Sequence, residues 1–509
     1  MLRKLRIIFA AIFFSLITLL FLDFTGTIHA WAGWMAKIQF LPAVLALNAG
    51  VVVGLVILTL LFGRIYCSVI CPLGVMQDIF AWGGGRHKKN RFKFRPAKPV
   101  IRWTIFVIFC LTLALGFGSL ALIIAPYSAY GRIAQNILAP IWQWGNNLLA
   151  YFAERADSYA FYSTDVWIRG LGTFVIAVIT LLTLAVWSWY RGRQYCNTVC
   201  PVGTILGVLS RFSLLKPVIN REKCINCNLC ARNCKSSCID VKRHAIDYSR
   251  CVVCMDCIDV CNKGAISYTW RREATQTADT QGSASQQQTE QNKAEQGKGG
   301  EGISRSTFIV TAGILTASAV KAQEMKLDGG YATLADKIAP PRRNAILPAG
   351  SLAARNMAAR CTGCQLCVAV CPSQVLRPSA SLTNFMQPHL SFEKGYCRPE
   401  CNKCSEVCPA GAIKPISVVE KSSTQIGHAV WVKKNCVVVT DDVDCDNCQR
   451  HCPSAAITMV ALDPKDEKSR KIPAINTSLC IGCGACEALC PARPFSAIYV
   501  EGHLSHKTI

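Results

Sequence analysis

The sequence predicts an α-helical membrane domain of four spanning helices followed by cysteine-rich α+β domains. Of the 509 residues, 51% are hydrophobic, and the long apolar runs are concentrated in the N-terminal half, as in a membrane protein. The chain also contains 30 cysteines, most of them in tight repeated runs rather than at the scattered spacing of a disulfide framework. A chain of this length exceeds one ordinary core, so several domains are expected.

Four apolar segments are long enough, or nearly so, to cross a bilayer as helices. They are residues 7–22, 41–62, 101–124 and 168–190. The N-terminus is basic, and the connection 63–100 carries many Lys and Arg residues against one acid, Asp78. By the positive-inside rule, both ends of the membrane domain, residues 1–220, therefore face the cytoplasm. This pattern predicts a multi-pass protein of the cytoplasmic (inner) membrane.

The frame G-R-x-Y-C-x-x-x-C-P-x-G occurs twice, beginning at Gly63 and at Gly192, each time where an apolar segment ends. The two copies follow helices of the same direction, so equivalent positions are expected to face each other across a pseudo-twofold axis along the membrane normal. Cysteines four residues apart lie on one face of a helix, and the proline suits the first turn of the next helix. The sulfurs expected to converge are those of Cys67, Cys71, Cys196 and Cys200.

The matched arginines Arg64 and Arg193 would supply counter-charges to a negative centre at these cysteines. We interpret the four cysteines as ligands of an iron–sulfur cluster or of a metal ion. Redox-active dithiols and a purely structural helix junction are the alternatives.

Residues 221–270 contain two complete Cys-x2-Cys-x2-Cys-x3-Cys runs, the spacing of a ferredoxin-like α+β domain with two [4Fe-4S] clusters. Three thiolates of a run bind one cluster, and the fourth turns to the neighbouring cluster. Zinc is the alternative, but two complete four-cysteine runs are rarely zinc sites. Both runs depart from the usual pattern, because Lys235 and Asn262 follow their last cysteines where a proline is usual. The predicted ligand sets are Cys224, Cys227, Cys230 and Cys261, and Cys251, Cys254, Cys257 and Cys234.

Residues 355–509 contain four more runs, the outer two complete and the inner two irregular, and each run ends in Cys-Pro. They predict a four-cluster ferredoxin-like domain, which brings the total to six [4Fe-4S] clusters, with a seventh cluster or a metal ion at the Cys-x-x-x-Cys-Pro pairs. We expect the outer runs to exchange their last cysteines, Cys371 and Cys490, and the inner runs to exchange Cys408 and Cys452. The ligands are Cys361, Cys364, Cys367, Cys371, Cys397, Cys401, Cys404, Cys408, Cys436, Cys445, Cys448, Cys452, Cys480, Cys483, Cys486 and Cys490.

Two cysteines remain outside these sites. Cys110 lies inside an apolar segment and is interpreted as a buried, inert thiol. Cys238 follows Cys234 closely; we interpret it as a bystander, with a substitute ligand as the alternative.

Two segments join the cysteine-rich domains. Residues 271–302 are rich in Gln, Gly and Ser and show no apolar period, which is typical of a flexible linker. Residues 303–322 have a short apolar core, which is typical of a signal-like segment; a fifth transmembrane helix is the alternative.

Charge and missing motifs exclude several classes of function. The formal charge of +24 does not indicate nucleic acid, because many basic residues flank apolar segments and each cluster with four thiolates adds a charge of about −2. The chain has no Cys-x-x-Cys-His motif, so covalent haem is not indicated. It also has no Walker motif and no dinucleotide-binding glycine motif after a strand, so neither ATP hydrolysis nor nucleotide reduction is indicated.

The four-helix unit with its two Cys-x-x-x-Cys-Pro motifs and the following two-cluster segment, residues 1–270, resembles the NapH ferredoxin-type proteins of periplasmic nitrate reductase systems. The remainder, including the eight-residue gap after Cys436, resembles their four-cluster partner NapG, so the chain looks like a fusion of the two. The resemblance implies exchange of electrons with the quinone pool and with a redox enzyme, nitrate reductase-like or another reductase, or a small electron carrier. NapG-type proteins carry a twin-arginine signal, whose second arginine is replaced here by Ser306 after Arg305. The C-terminal domain is nevertheless expected in the periplasm, and residues 221–270 in the cytoplasm.

We therefore predict a membrane-bound polyferredoxin, an electron-transfer component rather than a complete enzyme. The alternative function is a maturation or metal-handling protein that binds or reduces copper or iron through the Cys-x-x-x-Cys-Pro pairs.

Overall fold

The computed structural model describes all residues except 24–25, 87–91, 117, 119–121, 159, 271–336, 382–383 and 466–468. The predicted linker and the predicted signal-like segment therefore lie outside the described residues. The membrane domain contains the helices α1 (Leu2–Leu22), α2 (Thr27–Ala32), α3 (Trp34–Lys37), α4 (Phe40–Leu45), α5 (Ala49–Phe62), α6 (Ile65–Val69), α7 (Pro72–Arg86), α8 (Pro99–Ala114), α9 (Pro126–Ile133), α10 (Ala139–Arg155), α11 (Leu171–Arg191), α12 (Gln194–Thr198) and α13 (Pro201–Leu209). A π-helical turn, Ala134–Leu138, joins α9 to α10, and a 3-10 turn, Ser210–Phe212, follows α13.

The four predicted spans correspond to α1, α4 with α5, α8 and α11. Among the described residues, α1 and α11, with 21 residues each, are long and apolar enough to cross a bilayer. The predicted spans 41–62 and 101–124 are wrong in their length. Leu47 takes a left-handed backbone conformation and Asn48 caps α5, so α5 has 14 residues, and α8 has 16 and ends before left-handed Gly116. At 1.5 Å per residue these two helices reach only about 21 and 24 Å, short of a hydrocarbon core of about 30 Å.

The outer surfaces of these helices are apolar. Ile8 on α1, Val107 and Leu111 on α8, and Leu182 on α11 are each more than half exposed. Cys110 is also exposed, so its prediction as a buried thiol is wrong. It lies on this outward face of α8, which a lipid environment would cover. Exposed apolar faces of this kind are expected for helices in lipid and unusual for core helices of soluble proteins.

The two cysteine-rich units pack at opposite ends of the long helices. At one end, Arg3 of α1 pairs with Asp256, and the amide of Arg193, just after α11, donates to the carbonyl oxygen of Lys235 at 2.8 Å. At the other end, Arg169, just before α11, donates to the carbonyl oxygen of Val368. Gly26, beyond α1, lies against Lys403 on the same side.

The shorter helices have the same orientation. Tyr268 donates to the carbonyl oxygen of Phe62 at the end of α5, while Ala46 before α5 lies against Gly411. The membrane helices therefore lie between a unit at residues 215–270 and a unit at residues 337–509.

The first unit is a small α+β fold. A two-stranded antiparallel sheet of β1 (Leu215–Ile219) and β4 (Ile266–Trp270) closes it, and β2 (Ile239–Asp240) pairs with β3 (Ala245–Ile246). Its helices are α14 (Leu229–Asn233) and α15 (Asp256–Asp259). Each helix begins inside a cysteine run, so each run is a loop followed by one helical turn.

The second unit repeats this plan. Its helices are α16 (Ala354–Arg360), α17 (Leu366–Ala369), α18 (Lys403–Val407), α19 (Val418–Ser422), α20 (Val437–Thr440), α21 (Asn447–Arg450) and α22 (Ala485–Ala488), with a 3-10 turn at Lys433–Asn435. Its antiparallel pairs are β5 (Leu376–Pro378) with β6 (Pro388–Leu390), β7 (Thr424–Trp431) with β10 (Ile498–Thr508), and β8 (Ile457–Ala461) with β9 (Lys471–Ile475). Ile346 and Leu347 are buried in its core, so the ordered unit begins before the predicted boundary at 355.

The complete cysteine runs share a backbone geometry. In each, the second residue after the first cysteine and the residue directly after the second cysteine have positive φ, as at Gly363 (59°) and Gln365 (64°) or Gly482 (75°) and Gly484 (81°). Glycine and asparagine adopt this conformation at little cost, which explains their frequency in these loops. The turns wrap the chain around one point, so that the three cysteines of the loop point inward.

Candidate functional site at the paired cysteine motifs

The two Cys-x-x-x-Cys-Pro motifs form a pseudo-symmetric pair in the interior of the membrane domain. Each motif is a short helix, α6 or α12, followed by a helix that begins at the motif proline, Pro72 or Pro201, as predicted. The four cysteines Cys67, Cys71, Cys196 and Cys200 are 4–5% exposed and belong to one buried cluster.

The tyrosine of each motif donates a hydrogen bond to the segment that joins the two long helices of the same repeat, on the side of the second cysteine-rich unit. The hydroxyl of Tyr66 donates to Gln39 at 3.0 Å, and the amide of Phe40 donates to the same hydroxyl at 3.1 Å. The hydroxyl of Tyr195 donates to the carbonyl oxygen of Ile124 at 2.6 Å. The segments 26–40 and 122–133 therefore extend inward from the side of the second unit to the cysteine pairs.

The motif arginines cross between the copies. Arg64 donates to the carbonyl oxygen of Cys196 at 3.1 Å, and Arg193 donates to the carbonyl oxygen of Cys67. Both guanidinium groups are fully buried. Arg64 also lies 3.9 Å from the sulfur of Cys67, close enough to serve as a counter-charge to a negative centre there.

The last glycine of each motif makes room for these arginines. A Cβ at Gly74 would lie 2.9 Å from Nη1 of Arg193 and would overlap the carbonyl oxygen of Cys67. A Cβ at Gly203 would lie 2.9 Å from Nη2 of Arg64 and would overlap the carbonyl oxygen of Cys196. The sequence frame contained both glycines and both tyrosines, but spacing alone assigned them no role.

The two halves differ in charge. In the first copy Asp78 accepts from Nε of Arg193 at 2.8 Å and from Arg6 at 3.0 Å. The equivalent position in the second copy is Gly207, where a Cβ would overlap the guanidinium of Arg102. Arg64 has therefore no carboxylate partner among the described residues, and its guanidinium donates to Asn197 at 2.8 Å instead. A buried cation without a carboxylate leaves this half of the site suited to a negative centre.

Burial also governs the ionisation of the site. Burial would by itself raise the pKa of the Asp78 carboxyl, but the charges of Arg193 and Lys235 hold that pKa well below its usual range. Burial raises the pKa of the Cys200 thiol, and the neighbouring thiols of Cys196, Cys67 and Cys71 raise it further. Thiols this close together and this buried become thiolates only with a cation to compensate them, as a bound metal centre would.

In the first cysteine-rich unit, Cys234, the last cysteine of the first run, lies among the cysteines of the second run. The thiol of Cys257 interacts electrostatically with those of Cys254, Cys251 and Cys234. Cys238 joins this set, because its sulfur lies 3.5 Å from that of Cys234 and it also bonds with Cys251. The interpretation of Cys238 as a bystander is therefore less consistent with the structure than the alternative of a substitute ligand.

In the second unit, the predicted exchange between runs is wrong. Cys408 interacts with Cys361, Cys364 and Cys367, and Cys371 with Cys397 and Cys404. Cys452 interacts with Cys480, Cys483 and Cys486, while Cys490 packs in one buried cluster with Cys436 and Cys445. Neighbouring runs therefore exchange their last cysteines. The hairpins β5–β6 and β8–β9 hold these neighbours together, whereas sequence spacing gave no such information.

The cysteine sets line cavities, and their sulfurs accept hydrogen bonds from backbone amides. One cavity is lined by Cys234, Cys251, Cys254 and Cys257, and another by Cys452, Cys480, Cys483 and Cys486. The last cysteine of a run typically accepts from an amide shortly after it, as Cys452 does from Ala456 at 3.3 Å and Cys490 from Ala497 at 3.2 Å. Space among thiols and amide donors to sulfur both suit a [4Fe-4S] cluster.

Among the described residues, no three His, Cys, Asp or Glu side chains converge closely enough to hold a single metal ion. Thiolates around one zinc ion would lie within about 4 Å of one another, since Zn–S bonds are about 2.3 Å long. Cysteines of a cubane cluster bind different irons and are spaced more widely.

Comparisons with known proteins agree with this arrangement. A family model described as a 4Fe-4S binding domain matches residues 45–91 and 173–221, which contain the two Cys-x-x-x-Cys-Pro motifs. A model described as a 4Fe-4S dicluster domain matches residues 360–412 and 443–493. The chain resembles the ferredoxin-type proteins. The predicted resemblance is thus confirmed.

The relatives include ferredoxin-type proteins, a putative electron transport protein and an uncharacterized protein. The chain is 27% identical to the ferredoxin-type protein NapH of Haemophilus influenzae over 46% of this chain and 71% of that protein. It is 24% identical to the putative electron transport protein YccM of Escherichia coli over 43% of this chain and 55% of that protein. An uncharacterized protein of Methanocaldococcus jannaschii is 34% identical over 21% of this chain, which spans 42% of that protein. No solved structure matches the chain.

Proposed function

We propose that this ferredoxin-type chain is a membrane-bound polyferredoxin that transfers electrons between the quinone pool and a redox enzyme, by a route that crosses the membrane domain. The observation that carries the proposal is the position of the paired motifs. Cys67, Cys71, Cys196 and Cys200 belong to the same buried core as Cys254 of the first unit and Cys364 of the second. When bound, iron–sulfur clusters supply one-electron carriers at such cysteines.

Short contacts join the paired motifs to the first unit. Arg64 donates to the carbonyl oxygen of Ser249 at 3.1 Å, two residues before Cys251. Gly63 lies against Val253, which sits between Cys251 and Cys254 in the cysteine loop. The first motif is therefore packed directly on this loop.

The second unit reaches the motifs through α9. Gly131 of α9 lies against the carbonyl oxygen of Cys364, and the amide of Asn136 donates to Gln365 at 2.9 Å. On the other side, the fully buried Arg132 donates to the carbonyl oxygens of Leu122 and Ile123, next to the residue that Tyr195 contacts. A few residues, most of them buried, thus separate Cys196 from Cys364.

The placement of the two units supports a route across a bilayer. The 21 residues of α1 span about 32 Å, close to a hydrocarbon thickness of about 30 Å, and the units contact opposite ends of this helix. With basic residues concentrated in the segment 63–100, we place the unit 215–270 in the cytoplasm and the unit 337–509 in the periplasm.

An apolar groove on α11 supports access for a quinone. The groove, of about 510 Å³, is lined by Leu182, Val186, Trp187 and Tyr190 and opens to the lipid-facing side. Trp187 stacks edge-on against Tyr195, the residue before Cys196. The side chains of Trp187 and Tyr195 would lie between a quinone ring in this groove and Cys196. The names of the relatives NapH and NapF suggest a nitrate reductase system as one destination for the electrons.

The test uses the full-length protein in proteoliposomes with a menaquinol analogue. We expect the analogue to bleach the iron–sulfur absorbance of the wild type and of the matched control Cys110→Ser. Cys67→Ser should retain roughly 24 irons from the six runs but lose most of the rate. Equal rates for Cys67→Ser and wild type would contradict the proposal. Copper bound by the wild type and lost in Cys67→Ser would instead favour a metal-handling function.

Electron transfer across the membrane can be measured in a separate experiment. Vesicles that enclose ferricyanide, with an impermeant reductant outside, should reduce ferricyanide only when electrons pass through the protein. Because each electron moves charge across the membrane, potassium with valinomycin should accelerate the reaction. A rate that does not respond to the ionophore would count against a transmembrane route.

A further inference from the structure

A separate cavity lies where the start of α8 and the end of α11 meet the first cysteine-rich unit. It has a volume of about 70 Å³, several times the roughly 10–15 Å³ that one water molecule needs. No acidic side chain lines it. Its basic lining residues are Arg95, Lys98, Arg102, Arg191, Arg211 and Arg250.

The charge of this cavity is largely unbalanced. Arg250 pairs with Asp247 at 2.6 Å, but none of the other five basic residues forms an ion pair with a residue that the structure describes. Ser236 also lines the cavity and is 5% exposed, and its hydroxyl has no hydrogen-bond partner among the described residues. Basic groups without acidic partners and a buried hydroxyl without a hydrogen-bond partner are the complement of an anion with several oxygens.

The cavity lies at the boundary between apolar and polar surface. Trp103 lines it and is half exposed, and Val100 and Phe212 beside it are also exposed. Further along α8, beyond Trp103, the outer face of the helix is apolar at Val107 and Leu111. Exposed aromatic side chains at a helix end are typical of the headgroup level of a bilayer, and basic pockets between helices on the cytoplasmic side suit anionic headgroups.

We propose that this cavity binds the phosphate group of an anionic phospholipid. The arginines at its rim, Arg191 and Arg211, are exposed enough to receive a headgroup from the membrane surface, and the acyl chains would lie along α8. Arg102 sits at the inner wall, where its guanidinium donates to the carbonyl oxygens of Gly203 and Thr204. The bound phosphate would offset the mutual repulsion of these cations next to the second motif.

The test uses the delipidated full-length protein, measured against nanodiscs of phosphatidylglycerol and of phosphatidylcholine. We expect preferential binding of phosphatidylglycerol by the wild type and by the control variant Arg221→Gln, which changes an exposed arginine outside the cavity. The double variant Arg191→Gln/Arg211→Gln should bind phosphatidylglycerol about 25-fold more weakly, since each basic side chain near an anionic surface contributes a factor of about five. Both arginines are exposed, so the variant should fold.

Inorganic phosphate distinguishes the two sources of the anion. If millimolar phosphate raises the melting temperature of the wild type but not of the double variant, and nanodiscs of either lipid bind equally, the cavity takes a soluble phosphate and the lipid assignment fails. If the double variant and wild type bind phosphatidylglycerol equally and phosphate changes neither melting temperature, the proposed site is overturned.

Discussion

The guanidinium of Arg64 donates to the carbonyl oxygen of Cys196 at 3.1 Å, across the interface between the two repeats. Arg193 makes the reciprocal contact to Cys67. Each repeat thus fixes the backbone of the other at its first cysteine. The cysteine pairs can be held in place only when both copies are folded together.

The two arginines should not be equivalent on substitution. Three cations, Arg6, Arg193 and Lys235, contact the buried carboxylate of Asp78, and Arg193→Met removes one of them. Arg64→Met instead removes a cation that has no carboxylate partner among the described residues. We expect Arg193→Met to lower the free energy of unfolding by about 1.5–3 kcal/mol, the range for a lost hydrogen bond to a charged group, and Arg64→Met by clearly less. Thermal unfolding of the purified protein in detergent measures the difference, and equal melting temperatures would refute this asymmetry.

Gly203 should tolerate no side chain. Gly203→Ala places a methyl group against the carbonyl oxygen of Cys196 and 2.9 Å from Arg64, so the crossed contact must shift. Overpacking of this kind costs about 1–3 kcal/mol. Gly54→Ala is the matched control, because a Cβ at Gly54 would meet nothing within 4 Å. If the two variants unfold at the same temperature, the close packing around Gly203 is not what the structure indicates.

Iron counting can test the exchange of cysteines between neighbouring runs. Cys361 and Cys408 belong to one set, so Cys361→Ser/Cys408→Ser should lose only the roughly four irons that either single variant loses. Cys361→Ser/Cys490→Ser affects two sets and should lose about eight irons. The opposite result would restore the exchange between outer runs that the spacing predicted.

Cys238 should be able to replace Cys234. Their sulfurs lie 3.5 Å apart, and both interact with Cys251. We expect Cys234→Ser to retain nearly all of its iron, and Cys234→Ser/Cys238→Ser to lose about four irons. Cys254→Ser, which has no such neighbour in sequence, is the control and should lose its cluster alone. Loss of four irons in Cys234→Ser itself would show that Cys238 is a bystander.

Lys235 should hold the first unit on the membrane domain. Its ammonium group pairs with Asp256 at 3.0 Å and with Asp78 at 3.7 Å. Lys235→Met should weaken this contact by about 1.5–3 kcal/mol, the range for hydrogen bonds to charged groups. Faster amide exchange in β1 and β4, relative to the exposed control Lys242→Met, would report the loss, whereas unchanged exchange would argue against the docking role.

The sequence by itself determined which cysteines form the candidate cluster loops, because a Cys-x2-Cys-x2-Cys loop is a local structure whose spacing and left-handed positions need no distant partner. The repeated motif and its matched arginines were visible for the same reason. The lysine at position 235, in place of the usual proline after the last cysteine, was also visible in the sequence, but its ion pairs were not.

The tertiary structure decided everything that depends on distant segments. Asp78 and Gly207 occupy equivalent positions, yet only packing against Arg193 and Arg102 shows that one copy is neutralised and the other is left positive. Three other features also depended on tertiary contacts. They are the exchange of Cys408 and Cys371 between runs, the ends of α5 and α8, and the hydrogen bonds of Tyr66 and Tyr195 to distant segments. Spacing along a chain specifies which groups are available, whereas the distances between groups far apart in the chain follow only from how its helices and hairpins pack.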